Sequence, residues 1–156
     1  MKTVSLFRKC VHLAAGMLLT LPQLVQAQVP YERILNSQTE PQNWLTYNGS
    51  YMSQRHSLLD QINRDNVGDL ELRWMLPNTV FGAWQSNPIV VDGIMYVTER
   101  PNSVMAVDAV TGRVFWKYRH TPADNALVCC GANNRGVEVL EDRVCMGILD
   151  ARLIAL

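Results

Sequence analysis

A stretch of this chain returns 49 residues further on without a gap. Pro88-Ile89-Val90-Val91 comes back as Val137-Glu138-Val139-Leu140, and Met95-Tyr96-Val97 as Val144-Cys145-Met146. Val104-Met105-Ala106 comes back as Leu153-Ile154-Ala155 at the same spacing. Three short apolar runs in one register mean that a single supersecondary unit is used twice. Each run is rich in β-branched and aromatic residues, and Asp92-Gly93 sits between the first two, a strong hairpin signal. Ser103–Val107 predicts a third strand, Thr111-Gly112 a turn and Val114–Tyr118 a fourth. A four-stranded meander with a period near fifty fits a propeller blade. A sandwich also gives short strands and turns, but nothing in it holds one period.

The expected fold class is therefore all-β, the start of a β-propeller. Residues 85–119 form its first blade, 120–134 a loop carrying two adjacent cysteines, and 135–156 an incomplete second blade. The second unit reaches Ala155-Leu156, short of a counterpart for Trp116, so about one and a half blades are expected. Glu71-Leu72-Arg73-Trp74-Met75 alternates polar and apolar, and 71–77 reads as an outer strand of the kind that closes a ring. Residues 28–70 are irregular, with a short strand at Trp44–Tyr47 and one helical turn between Asn63 and Leu70, capped by Asn63 or Asp65. Open blade edges and faces predict a chain that is marginal or aggregation-prone by itself.

Residues 1–27 read as a secretory signal. Lys2, Arg8 and Lys9 precede a mostly apolar run from Val11 to Leu21, and Val25-Gln26-Ala27 offers a cleavage site before Gln28. That run falls short of the roughly 20 residues a bilayer requires, and Pro22 follows it at once, so stable membrane insertion is not expected. Cys10 lacks the small apolar neighbours of a lipidated cysteine. The whole chain carries no formal net charge, and beyond residue 27 there are 11 basic against 14 acidic side chains. No basic excess points to nucleic acid. Export to an oxidising compartment leaves Cys129, Cys130 and Cys145, an odd number, where disulfides persist.

Cys129-Cys130 is the most unusual pair. Neighbouring cysteines bond to each other only through a strained eight-membered ring, so a bond to Cys145 or plain thiols stand as alternatives. Cys145, mid-strand, reads as a small core residue. Asn134-Arg135-Gly136 precedes the second unit's first strand, and Gln85-Ser86-Asn87 holds the same place in the first. Innermost strands line a propeller's axis, so Gln85, Asn134 and Arg135 are expected near its mouth. The Arg135 fork suits a carboxylate-bearing ligand there. Asp92, Asp108 and Asp142 read as turn formers, His56 and His120 as surface residues, and Trp74, Trp84 and Trp116 as packing residues. Asn48-Gly49-Ser50 matches a glycosylation triplet of little specificity. There is no phosphate-binding glycine loop, nucleophile motif or metal cluster in the pattern.

Taken in order, Glu40-Pro41-Gln42-Asn43-Trp44-Leu45, Leu58–Asn63, Val91–Thr98, Asp108–Trp116, Cys129-Cys130 and Asn134-Arg135-Gly136 resemble the pyrroloquinoline-quinone (PQQ)-dependent alcohol dehydrogenases. These are the quinoprotein methanol and ethanol dehydrogenases of the bacterial periplasm. The resemblance runs from about residue 32 to the last residue. It implies an eight-bladed propeller with PQQ on its axis beside a metal ion, usually calcium. It also implies a periplasmic location, a small alcohol as substrate and a cytochrome c as electron acceptor.

By the same resemblance, Cys129 and Cys130 form a disulfide packed against one face of the quinone, and Arg135 bonds the cofactor's polar edge. Gln85 stands where the family usually carries a cofactor-contacting Glu, keeping the hydrogen bonding but not the charge. The family's catalytic base and metal ligands lie in later blades, so no catalytic or metal residue is assigned and this chain alone is expected not to turn over. The competing readings are a cofactor-free propeller scaffold for protein interactions, against which Cys129-Cys130 and Arg135 both argue, and a truncated gene product without activity.

Overall fold

The computed structural model describes residues 28–126 and 128–156, so the signal segment expected over 1–27 lies outside the described residues. Four strands make the first sheet: β1 (Ile89–Val91), β2 (Ile94–Glu99), β3 (Ser103–Asp108) and β4 (Val114–Arg119). They pair in sequence order, each antiparallel to the last, which is the expected meander. β5 (Glu138–Leu140), β6 (Arg143–Gly147) and β7 (Leu153–Ala155) make a second sheet of the same pattern.

The repeat extends to individual residue pairs. Ile89 faces Tyr96 and Tyr96 faces Ala106, while 49 residues on Glu138 faces Cys145 and Cys145 faces Ala155. Turn chemistry sets this register: Asp92 and Gly93 both take positive φ (50° and 79°), as a two-residue hairpin whose twist matches its strands demands. A one-residue slip would move every apolar side chain to the other face.

Alternation then decides what is buried. Ile89, Val91, Tyr96, Val104 and Ala106 of the first sheet join Val137, Val139, Val144, Met146 and Ile148 in one core cluster. Burial of each large member contributes about 1.5–3 kcal/mol, so the blade-to-blade face holds the two sheets together. The second sheet's other face is open, with Leu140 and Leu153 exposed.

The segment before the blades is more ordered than its sequence suggests. Val29 forms an isolated bridge to Glu141, and Trp44 another to Val90, so 28–46 spans both sheets. The strand expected at Trp44–Tyr47 is reduced to that single bridge. Between the bridges lie a short helix, α1 (Tyr31–Leu35), and a 3-10 turn at Ser37–Thr39, neither of them expected. Arg33 of α1 reaches the first hairpin: its guanidinium bonds both Glu40 (2.6–2.8 Å) and Asp92. Asn43 completes the cluster, donating to Glu40 at 2.7 Å and accepting from the Asp92 N–H at 2.9 Å.

The turn expected between Asn63 and Leu70 is a 3-10 turn at Val67–Asp69 whose N-cap position is Asn66, not Asn63 or Asp65. Asn63 and Asn66 use their side chains on nearby backbone N–H groups instead. Residues 71–77 have no ladder partner among the described residues. Trp74 is anchored all the same, donating to the Ala109 carbonyl at 3.1 Å, with its ring against Gly112. Trp84 and Trp116, expected as packing residues, are 40% and 39% exposed.

Candidate functional site

Two extended segments cross beside the inner strands, one leading into β1 and the other into β5. The Asn87 N–H donates to the Arg135 carbonyl at 3.1 Å, which fixes the crossing. Close approach explains Gly136: a Cβ there would stand 3.1 Å from the Asn87 carbonyl, and φ is +143°. With the backbones locked, Arg135 Nε donates to Gln85 Oε1 at 3.2 Å. The structure therefore brings together two residues 50 apart that the repeat placed at one mouth. Both are exposed.

Asn134, expected to join them, does not. It is buried, with its side-chain N–H on the Gly147 carbonyl (2.8 Å) and its oxygen taking the Gly136 N–H (3.0 Å). Its amide shapes the turn into β5 and is not left free for a ligand.

The cysteine loop closes on the same place. Asn133 donates from its backbone to the Gly131 carbonyl (2.8 Å) and from its side chain to the Cys130 carbonyl (3.3 Å). Cys129 and Cys130 are both exposed, free thiols in this structure. A hydrogen bond from the Cys130 thiol to Cys129, with some desolvation, pushes that thiol above its ordinary value, while the nearby Arg135 charge pulls the other way. Cys130, Arg135 and Gln85 are thus one electrostatic neighbourhood.

Other polar groups lie apart from it. His120 is not a simple surface residue: its Nε2 lies 3.2 Å from Asp150 Oδ2, joining the end of β4 to the β6–β7 turn. Burial would raise the Asp150 carboxyl, but hydrogen bonds from Arg152 and His120 outweigh it and bring it down to about 2. His56 is exposed, as expected, in a shallow hollow lined also by Ser37, Asn43 and Trp44. Among the described residues, no group of three or more His, Cys, Asp or Glu could hold a metal ion. No helix among them is long and apolar enough to cross a membrane.

Sequence reasoning missed two residues. Glu138 stands where the first blade has the fully packed Ile89, and desolvation pushes its carboxyl up to about 7. The repeat marked the substitution, an acid where the first blade has an isoleucine, but not its electrostatic consequence. Arg100, just after β2, donates to the Ala132 carbonyl in the cysteine loop at 3.2 Å, a contact that no sequence spacing foretells.

Residues 44–156 match the family model described as "PQQ: Glucose/ethanol/alcohol dehydrogenase, beta-propeller domain". The chain belongs to this family. It is 42% identical over 127 residues to the dehydrogenase subunit of the quinone alcohol dehydrogenase of Komagataeibacter europaeus, covering 80% of this chain and 17% of that protein. Quinohemoprotein alcohol dehydrogenase ADH-IIG of Pseudomonas putida is 41% identical over 155 residues, covering 92% of this chain and 21% of the other.

The solved structure of that quinohemoprotein from Pseudomonas putida HK5 superposes with a TM-score of 0.76 at 39% identity, over 85% of this chain and 20% of its own. A europium-containing methanol dehydrogenase superposes with a TM-score of 0.73 at 32% identity, over 80% of this chain and 23% of its own. The chain spans about a fifth of the length of the curated relatives it matches.

Proposed function

We propose that this chain supplies the cofactor-orienting part of a periplasmic PQQ-dependent alcohol dehydrogenase, one that oxidises a small alcohol to an aldehyde and passes electrons to a cytochrome c. The observation that carries this reading is the meeting of Arg135, Gln85 and Cys130 at the crossing of the two strand-leading segments. PQQ is a flat, carboxylate-bearing quinone, and the donor set suits it. Arg135 is bonded to a neutral amide, so its charge remains available to a ligand carboxylate in fork geometry. Gln85 keeps two amide N–H donors for a carbonyl or carboxylate oxygen.

Cys129 and Cys130 would lie against one face of the ring. Their bond to each other is part of the proposal: two thiols exchange with a disulfide oxidant, losing two protons and two electrons to it. When bound, the quinone supplies the two-electron acceptor, and the residues here bind and orient it. The metal ion of the family is a different matter, since the described residues offer no cluster of ligands for it. Calcium is accordingly proposed to be held outside this chain, and no step is derived through it. Nor is a proton-accepting carboxylate bonded to Gln85 or Arg135 among the described residues. The chain alone is therefore proposed to hold quinone without turning over alcohol.

Equilibrium dialysis of the 156-residue chain against PQQ tests this, with Arg135→Met in parallel. Retention of quinone that falls about tenfold or more in the variant is expected, the loss of one charge-assisted fork. Equal retention by both proteins would remove the basis of the reading. Alcohol oxidation by the chain with quinone and calcium would refute its inactivity.

A further inference from the structure

We infer that Arg100 is a positioning residue for the Cys129–Cys130 loop, setting where the loop stands relative to Gln85 and Arg135. The inference rests on the proposed quinone site and adds a residue outside it. Arg100 follows Glu99, the last residue of β2, on the rim of the first blade. Its side chain is half-buried and crosses between two loops. At one end, Nε donates to the Ala132 carbonyl at 3.2 Å. At the other, the guanidinium occupies the space where a side chain at residue 82 would begin. A Cβ on Gly82 would stand 1.7 Å from Arg100 Nη1 and 2.7 Å from Cζ. Gly82 also has φ +119°, so both room and backbone conformation call for glycine there.

Two guanidinium groups thus fasten the same pair of segments. Arg100 spans Gly82 and Ala132, while Arg135 meets Gln85 three residues along each segment. The other hydrogen bonds described for residues 128–133 run inside the loop, from Asn133 to Gly131 and Cys130. Those bonds shape the turn but do not locate it. Arg100 locates it, holding the carbonyl two residues after Cys130 from a sheet whose own position is fixed by the core. A planar ligand between the cysteines and Arg135 needs this spacing, because a loop that drifts by an ångström loses contact on one face of the ring.

Three variants of the full chain separate this role from simple packing. Arg100→Met keeps the apolar stem and removes the donor. Gly82→Ala leaves Arg100 intact but evicts its head group. Arg100→Lys keeps a donor. Amide hydrogen exchange of residues 129–133 is read without ligand, and PQQ retention is read by its absorbance after dialysis. Met and Ala are expected to speed exchange and weaken retention, each by about tenfold, while Lys recovers most of the protection.

Unchanged exchange in both Met and Ala variants would overturn the inference. So would faster exchange with unchanged quinone retention, since the loop's place would then not matter to the ligand. A wild-type chain that retains no quinone overturns the proposed function instead, and the exchange measurement still decides whether Arg100 holds the loop.

Discussion

Glu138 makes the stability of this chain depend on pH in a direction opposite to that of most carboxylates. It occupies the first position of β5, where the equivalent residue of the first blade is Ile89, and faces Cys145 across the strand pair. Desolvation raises its carboxyl from 4.5 to about 7. In the unfolded chain the group ionises freely from pH 4.5 upward, while in the fold it keeps its proton up to about 7. Between those values the native state binds more protons, so stability falls as pH rises and stays low above them. A wholly sealed group with this shift would be worth about 3 kcal/mol. Glu138 is only partly covered, and solvent screening reduces the expected loss to about 1–2 kcal/mol.

Urea unfolding at pH 5 and pH 8, for the wild type and Glu138→Gln, reads the effect directly. The variant should be the more stable protein at pH 8 by about 1–2 kcal/mol, and the gap should close at pH 5. If both proteins show the same pH dependence, the burial argument for this face of the second sheet is wrong.

Four further outcomes follow from the geometry. Arg33→Met leaves Glu40 and Asp92 facing each other without their shared cation, and should lower unfolding stability by about 2–3 kcal/mol in a urea titration at pH 7. Arg33 hydrogen bonds hold both of these carboxyls below their ordinary values, so this contribution is present above the unfolded carboxylate range and fades as pH falls through the folded values; the variant should show a shallower loss in acid. Gly112→Ala places a Cβ 2.7 Å from the Trp74 ring at a φ of +75°, and should cost about 1–2 kcal/mol with a red shift of tryptophan emission as that ring is displaced. Under a disulfide oxidant, alkylation of the full chain followed by mass measurement should find Cys10 and Cys145 modified; two additional labels would exclude the vicinal bond.

The blades were legible because a pleated strand writes its environment into every second residue. Ile89 and Val91 are buried on either side of a half-buried Val90, Val144 and Met146 on either side of a half-buried Cys145, and one hairpin register carries both copies. Gln85 and Arg135 could be placed by that same logic, since a repeat fixes which side chains share an end. What the pattern could not carry is anything set by a single crossing. Asn134 sits beside Arg135 in sequence, yet a buried turn takes its amide, and Arg100 gains its role only because Gly82 leaves a gap on another loop. The helix at Tyr31–Leu35 is too short for periodicity to show, and it is tied down by Arg33 reaching a hairpin far along the chain. Trp74 kept its anchoring role without the strand expected around it.

The two isolated bridges of the leading segment have a kinetic consequence. Val29 joins Glu141 and Trp44 joins Val90, so residues 28–46 wait for strands far along the chain before they can settle. Each sheet can zip locally from its own tight turn, within microseconds for a hairpin. The arm that straddles them must close a long loop first, an entropic toll that grows with the chain between its ends. The meander should therefore form before the arm docks, and a chain halted before residue 141 should bury its first blade while leaving Val29 without a partner.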